Sequence, residues 1–257
     1  MQCCELARET GRFILKEGLG FSRDKIEIKS HNQLVSYVDL QAEKMLVKGL
    51  RELIPEAGFI TEENTISKEG KVYNWIIDPL DGTTNFMHSI PVYSISIGLT
   101  ENGALIMGIV YEVNRDECFY AWKGSPAYMN EKEIRTSGVD QLGSSLIATG
   151  FPYYDYKQVD NYMEVLKELM KKTSGIRRMG SAAVDLVYVA CGRFEAFYEY
   201  GLNAWDVAGG AFIVQQAGGR VCDFKGGVDY VFGKEIIACE PALYEEFLEI
   251  VRSGFKD

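Results

Sequence analysis

The sequence predicts a mixed α/β protein, and three observations predict it. Two segments near the N-terminus, residues 2 to 18 and 39 to 54, carry apolar residues at helical spacing. The middle of the chain alternates in period two, VYSISIGLT then ALIMGIVYEV, around the hairpin signal Glu101-Asn102-Gly103. The last third runs strand, helix, strand, helix between glycine-bearing turns.

In chain order, residues 2 to 18 read as an amphipathic helix with Leu6, Phe13 and Ile14 near one stripe and Gly18 and Gly20 at its end. Residues 23 to 37 read as a polar hairpin or loop, with an edge strand at 34 to 38. Ala42, Met45, Leu46, Leu50 and Leu53 set out a second helix that Pro55 terminates, with Asp39 as its N-cap. Residues 58 to 61 form a short strand ending in Glu62-Glu63, and residues 64 to 73 a polar loop.

WIIDPLDGTTNF, residues 75 to 86, is the stretch around which the rest is arranged. An apolar strand stops at two carboxylates, Asp78 and Asp81, and then turns. Pro79 removes a backbone donor and Gly82 permits a sharp turn. No Lys or Arg neighbours the acids, so they repel each other unless a cation neutralises them. Hard divalent cations such as Mg2+ take oxygen ligands of this kind, and the Leu80 carbonyl is one more. The residues alone leave a solvated acidic turn as the other reading.

Downstream, residues 117 to 122 and 127 to 135 continue a meander of antiparallel strands. A polar linker, TSGVDQLGSS, precedes a strand at 146 to 149, a helix at 158 to 172, and a strand, turn, helix and strand over 175 to 199. Small residues at Ser181-Ala182-Ala183 open that helix, where exposed N–H groups can meet a phosphate or hydroxyl or simply be capped. Asp206 stands at the start of a helix over 208 to 216, where the helix dipole favours a carboxylate with or without a metal. A strand at 236 to 238 and a helix through about 252 close the chain.

Composition excludes several classes. The 257 residues are 47% hydrophobic and 25% charged, which suits a large folded core and argues against disorder. A formal net charge of -10 disfavours general nucleic-acid binding. The cysteines at 3, 4, 118, 191, 222 and 239 form no C-x-x-C pair and are expected as free thiols. No signal peptide and no run long enough to span a membrane is present, so a cytoplasmic protein is expected. With only His31 and His88, a His-based triad has little material.

DPLDGTTNF, followed far downstream by WDVAGGAFIVQQAGG at residues 205 to 219, resembles the two signatures of the inositol monophosphatase family, the Mg2+-dependent, lithium-sensitive sugar phosphatases. The resemblance covers essentially the whole chain. It implies a layered αβαβα sandwich of the inositol monophosphatase and fructose-1,6-bisphosphatase type. Residues 1–140 would be an N-terminal α+β lobe with the metal signature. Residues 141–257 would be a C-terminal α/β lobe with the substrate-side residues, and the site would lie between them.

The resemblance also implies two or three Mg2+ ions, one held by Glu62, Asp78 and the Leu80 carbonyl, a second by Asp78, Asp81 and Asp206. Glu62 and the Thr83 hydroxyl would orient the attacking water, with Asp81 in the catalytic set. Gly82, Thr83 and Thr84 would cradle the phosphate, and Gly180, Ser181, Ala182, Glu199 and Asp206 would meet the substrate. Asp39, Lys29 and Glu63 would support these from behind. The implied reaction is hydrolysis of myo-inositol 1-phosphate without a covalent phosphoenzyme, by a homodimer. Fructose-1,6-bisphosphatase, 3'-phosphoadenosine-5'-phosphate phosphatase and NADP phosphatase share near-identical metal sites and remain alternatives. So does a relative with an added protein-binding role in RNA metabolism.

Overall fold

The computed structural model describes residues 1–19, 26–30, 33–66, 68–151 and 156–255, with backbone alone at 19, 26–30 and 33–36. In chain order the elements are α1 (Gln2–Leu19), β1 (Ile26–Ser30), β2 (Gln33–Ser36), α2 (Tyr37–Leu53), β3 (Gly58–Thr61), β4 (Tyr73–Asp81), α3 (Thr83–Met87), β5 (Ser94–Glu101), β6 (Ala104–Glu112), β7 (Glu117–Trp122), β8 (Ala127–Met129) and β9 (Lys132–Ile134). They continue with β10 (Leu146–Thr149), α4 (Val159–Lys172), β11 (Gly175–Arg177), α5 (Ala182–Ala190), β12 (Ala196–Tyr200), α6 (Ala204–Gln216), β13 (Arg220–Cys222), β14 (Glu235–Cys239) and α7 (Tyr244–Gly254).

Strands β3 to β9 lie side by side in sequence order as a seven-stranded sheet, antiparallel except for the parallel pair β3–β4. A five-stranded sheet has the order β11-β10-β12-β14-β13, and β1 and β2 form a separate hairpin. Side-chain alternation along the strands divides the interior into layers. Trp75, Ile77, Ile95 and Ile97 face α1 and α2, joining Ile14, Leu46 and Leu50. Val110 and Phe119, on the opposite face, meet α5, α6 and the inward Phe197, Ile236 and Ala238 of the second sheet. Tyr198, Ile237 and Cys239 point the other way, into α4 and α7. The architecture is therefore the five-layer αβαβα sandwich. Both faces of β4 are covered, which is why it reads as a continuous apolar run.

The central helices pack unusually close to the first sheet. A Cβ on Gly108 would lie 2.2 Å from the Gly209 carbonyl oxygen, and one on Gly98 would lie 2.9 Å from the Ala208 Cβ. The small residues of α6 let its backbone rest on β5 and β6, and this fixes the height of the α6 N-terminus above the sheet.

Several boundaries differ from expectation. Helix α2 starts at Tyr37, so Asp39 sits in its first turn rather than at the N-cap, and β2 ends at Ser36. The segment after Asp81 is a short helix, α3, not only a turn. Helix α6 begins at Ala204, and β13 was not foreseen. Lys29 falls in β1, but its side chain lies outside the described residues, as does His31. All six cysteines are free thiols. Among the described residues no helix is long and apolar enough to cross a membrane.

Candidate active site

The acids of DPLD reach one side of the sheet because β4 carries a bulge. Asp78 pairs with Ser96 and Asp81 with Ser94, so three steps on β4 match two on β5. In a regular strand residues three apart point to opposite faces; the extra residue turns both carboxylates the same way. Pro79, which has no N–H to give the ladder, sits within the bulge. The face they share is the one covered by α5 and α6, since Ser96 Oγ donates to the Trp205 carbonyl and Ser94 Oγ meets Ser181 Oγ at 3.2 Å.

Asp206 arrives from above, in the first turn of α6. Its Oδ2 accepts from the Asn203 N–H at 2.6 Å, an arrangement that caps the helix and fixes the carboxylate together. One carboxylate oxygen each from Asp78, Asp81 and Asp206 lie within 4.8 Å of one another. Glu62 follows β3, and its N–H donates to the Ile77 carbonyl, which sets it beside Asp78. The loop that carries it is held by Glu43, fully buried in α2, which accepts from Thr61 Oγ1, Glu63 N, Thr65 N and Thr65 Oγ1 at 2.6 to 2.9 Å.

The electrostatic consequence is strong. Burial, then the charges of Glu62, Asp81 and Asp206, push the Asp78 pKa well above the usual carboxylate range, against one opposing hydrogen bond from Leu80 N–H. Burial raises Asp81 to about 6, although Ser181 Oγ at 2.5 Å and the Ala183 N–H at 2.8 Å hold its Oδ2 and favour the charged form. Burial and the Asp81 charge raise Asp206 to about 7. Acids forced together at this cost are a donor set for a hard cation. The residues present therefore fit Mg2+.

The predicted partners assemble around this cluster. A cleft with a volume of about 130 Å³ is lined by Glu62, Asp78, Leu80, Asp81, Gly82, Thr83, Thr84, Gly180, Ser181, Ala182, Glu199 and Asp206. Gly82 and Gly180 both take positive φ, +96° and +85°, and a Cβ on Gly82 would lie 3.2 Å from the Gly180 carbonyl. Glycine at both positions lets the signature turn and the α5 entry touch backbone to backbone. Thr83 Oγ1 donates to the Leu80 carbonyl at 2.9 Å and approaches Asp39 Oδ1 at 3.3 Å. Asp39 thus reaches the signature threonine from behind. Ser181 caps α5 and gives its hydrogen to Asp81, so its side chain serves the acid rather than facing open space. Burial, then Asp206, raises Glu199, while Arg178 opposes the rise. Gly150 makes room for it: a Cβ there would stand 2.0 Å from the Glu199 carboxylate.

Sequence reading missed Glu43, Asp185, Asn203 and Gly150. Glu43 and Asp185 did leave a signal. Each is a charged residue among apolar ones, Glu43 with Ala42, Leu46 and Val47 on the buried stripe and Asp185 inside AAVDLVYVA. Of the paired arginines, Arg178 lines the cleft and Arg177 is exposed. His88 is exposed at the end of α3, away from these groups.

Comparison with known proteins places this geometry in context. The sequence profile of the inositol monophosphatase family matches residues 2–254. A putative Nus factor SuhB of Neisseria meningitidis serogroup B is 40% identical over 95% of this chain and 94% of its own. An inositol-1-monophosphatase of Mesorhizobium japonicum is 36% identical over 93% of this chain and 92% of its own. The crystal structure of the extragenic suppressor protein suhB from Bartonella henselae superposes with a TM-score of 0.91 at 36% identity, over 98% of this chain and 97% of that one.

Proposed function

The chain belongs to the inositol monophosphatase family, and from that premise we propose that it is a Mg2+-dependent phosphatase that hydrolyses myo-inositol 1-phosphate to inositol and phosphate. The observation that carries this reading is the convergence of Asp78, Asp81 and Asp206, from two separate parts of the chain, to within 4.8 Å of one another in the floor of a cleft. These three, with Glu62 and the Leu80 carbonyl, would hold two or three Mg2+ ions. When bound, the cations lower the pKa of water and neutralise charge on phosphoryl oxygens.

The chain's own residues do the rest. Thr83 spends its one hydroxyl hydrogen on Leu80 and Asp39, so its lone pairs face the water as acceptors. Glu62 accepts the other hydrogen and takes the proton as water attacks phosphorus in line with the departing oxygen, which leaves with a proton from solvent water. The Gly82 and Thr83 N–H groups receive the phosphate oxygens. Ala182, Glu199 and Asp206 receive the polyol, Asp206 standing by the leaving oxygen. No covalent phosphoenzyme forms. A homodimer and a cytoplasmic location belong to the same proposal.

A second reading is favoured by the relatives named Nus factor SuhB. This chain would then also act through a protein partner in RNA metabolism, alongside catalysis. Phosphate release with and without Mg2+, and with Li+ as an inhibitor, tests the first reading on four esters: inositol 1-phosphate, fructose 1,6-bisphosphate, 3'-phosphoadenosine 5'-phosphate and NADP. Mg2+-dependent, Li+-inhibited preference for inositol 1-phosphate is expected. Preference for another ester would replace the substrate and keep the metal chemistry. A partner retained by an Asp81→Asn variant would support the second role.

A further inference from the structure

One buried acid in the cleft has no part in the chemistry above. Asp185 stands one turn into α5, four residues after the cap Ser181, in a helix buried on every side. It is 1% exposed and lines the cleft, yet its Oδ1 accepts no hydrogen bond among the described residues. Burying a carboxylate without a donor is among the more destabilising things a core can contain, and an apolar residue would fit this helix without that penalty. Glu199 and Asp81 add like charge from the neighbouring elements, and Arg178 offsets only part of it. An acceptor held without a donor, in a cleft that receives a ligand, is complementary to a ligand that brings the hydrogen.

The donor follows from the chemistry of the site. A polyol hydroxyl has a hydrogen to give, whereas a phosphate dianion has only acceptor oxygens. Glu199 lies on the same side of the cleft, on the strand face turned toward α5, so the two acids flank the space left for the group that departs. We propose that Asp185 is a specificity-determining residue of the leaving-group subsite, whose side-chain oxygen accepts a hydroxyl hydrogen of the polyol beside Glu199. This rests on the phosphatase reading.

The test compares kcat/KM for inositol 1-phosphate with that for cyclohexyl phosphate, the same ring without hydroxyls, in wild type, Asp185→Leu, Asp185→Ala and Asp185→Asn. Leucine is close to isosteric and apolar, so Asp185→Leu is expected to fold with a raised Tm. Wild type should favour inositol 1-phosphate. Asp185→Leu and Asp185→Ala should lower that ratio at least about tenfold, because a lost hydrogen bond to a substrate hydroxyl is read as discrimination. Asp185→Asn keeps a side-chain oxygen acceptor and should hold the ratio within about threefold. Equal losses on both esters in the Leu and Ala variants would make Asp185 structural and overturn the proposal. So would an unchanged ratio, an equal fall in Asp185→Asn, or a wild type indifferent to the hydroxyls, all of which leave the phosphatase reading standing. Wild type that releases phosphate from neither ester would overturn both.

Discussion

Asp81 gives one oxygen to the Ser181 hydroxyl and the Ala183 N–H, and burial still lifts its pKa to about 6. Its local donors stabilise the charged form less than desolvation penalises it. Asp206 repeats the pattern with Asn203. Neutralising either with Asn should therefore separate activity from stability. Asp81→Asn and Asp206→Asn are expected to lower kcat/KM by more than about 100-fold, since changes behind metal ligands alone typically cost 10- to 100-fold. In metal-free protein the same variants should melt at a higher temperature, because a buried like charge has gone. A Tm several degrees lower would mean that these carboxylates are structural. Glu43 makes the opposite case. Its four accepted hydrogen bonds leave no place for an amide NH2, so Glu43→Gln sets donor against donor at Glu63 N–H. Thermal melts should show a loss of about 1–3 kcal/mol. The Mg2+ concentration for half-maximal activity should rise as the Glu62 loop loosens; unchanged Mg2+ dependence would deny Glu43 any role beyond folding.

Strand β4 and helix α6 show what elements add to residues. Period and turn chemistry made most of the helices and strands readable, because one-sided burial writes period 3.6 or 2 into the chain. The same logic failed where an element is buried all round or broken. DPLD read as a turn, since Pro and Asp are turn residues, yet the strand runs on through a bulge that only its pairing with Ser94 and Ser96 reveals. Asp78 and Asp81 were legible as candidate ligands from their spacing, and Asp206 and Glu199 chiefly through a resemblance. Asp185 left only the signal of a lone charge in an apolar helix, and its place in the cleft was not legible, because that depends on α5 lying between two sheets. The direct backbone contact of α6 on the first sheet is another such tertiary fact. A methyl at Gly108 would lie 2.2 Å from the Gly209 carbonyl. Gly108→Ala is expected to cost about 1–3 kcal/mol by overpacking. It should also weaken Mg2+ binding, since α6 carries Asp206 away from Asp78 and Asp81 as it lifts. Isothermal titration with Mg2+ checks this; a destabilised variant with unaltered Mg2+ affinity would mean that the helix tilts about its N-terminus instead.

At the scale of the whole molecule, the acids of the cleft tie stability to pH. The folded pKa values of Asp78, Asp81 and Asp206 all lie above the unfolded aspartate value of about 3.9. Glu199 and Asp185 are raised as well. Between the unfolded and folded values the folded chain holds protons that the unfolded chain has released. Stability must then fall as pH rises. The fall begins near pH 4 and continues through the Asp81 and Asp206 values of about 6 and about 7. Divalent cations need the deprotonated set, so protons compete with them and their stabilising effect grows in the same direction. Metal-free protein should melt at a lower temperature at about pH 7.5 than at about pH 5, and added Mg2+ should raise Tm much more at the higher pH. Asp206→Asn should flatten the first dependence and reduce the second. Calorimetry of chelator-treated wild type and variant decides it. A metal-free protein that gains stability over this range would show that its carboxylates are paired rather than crowded, and the reading of this cleft as a divalent-cation site would fail with it.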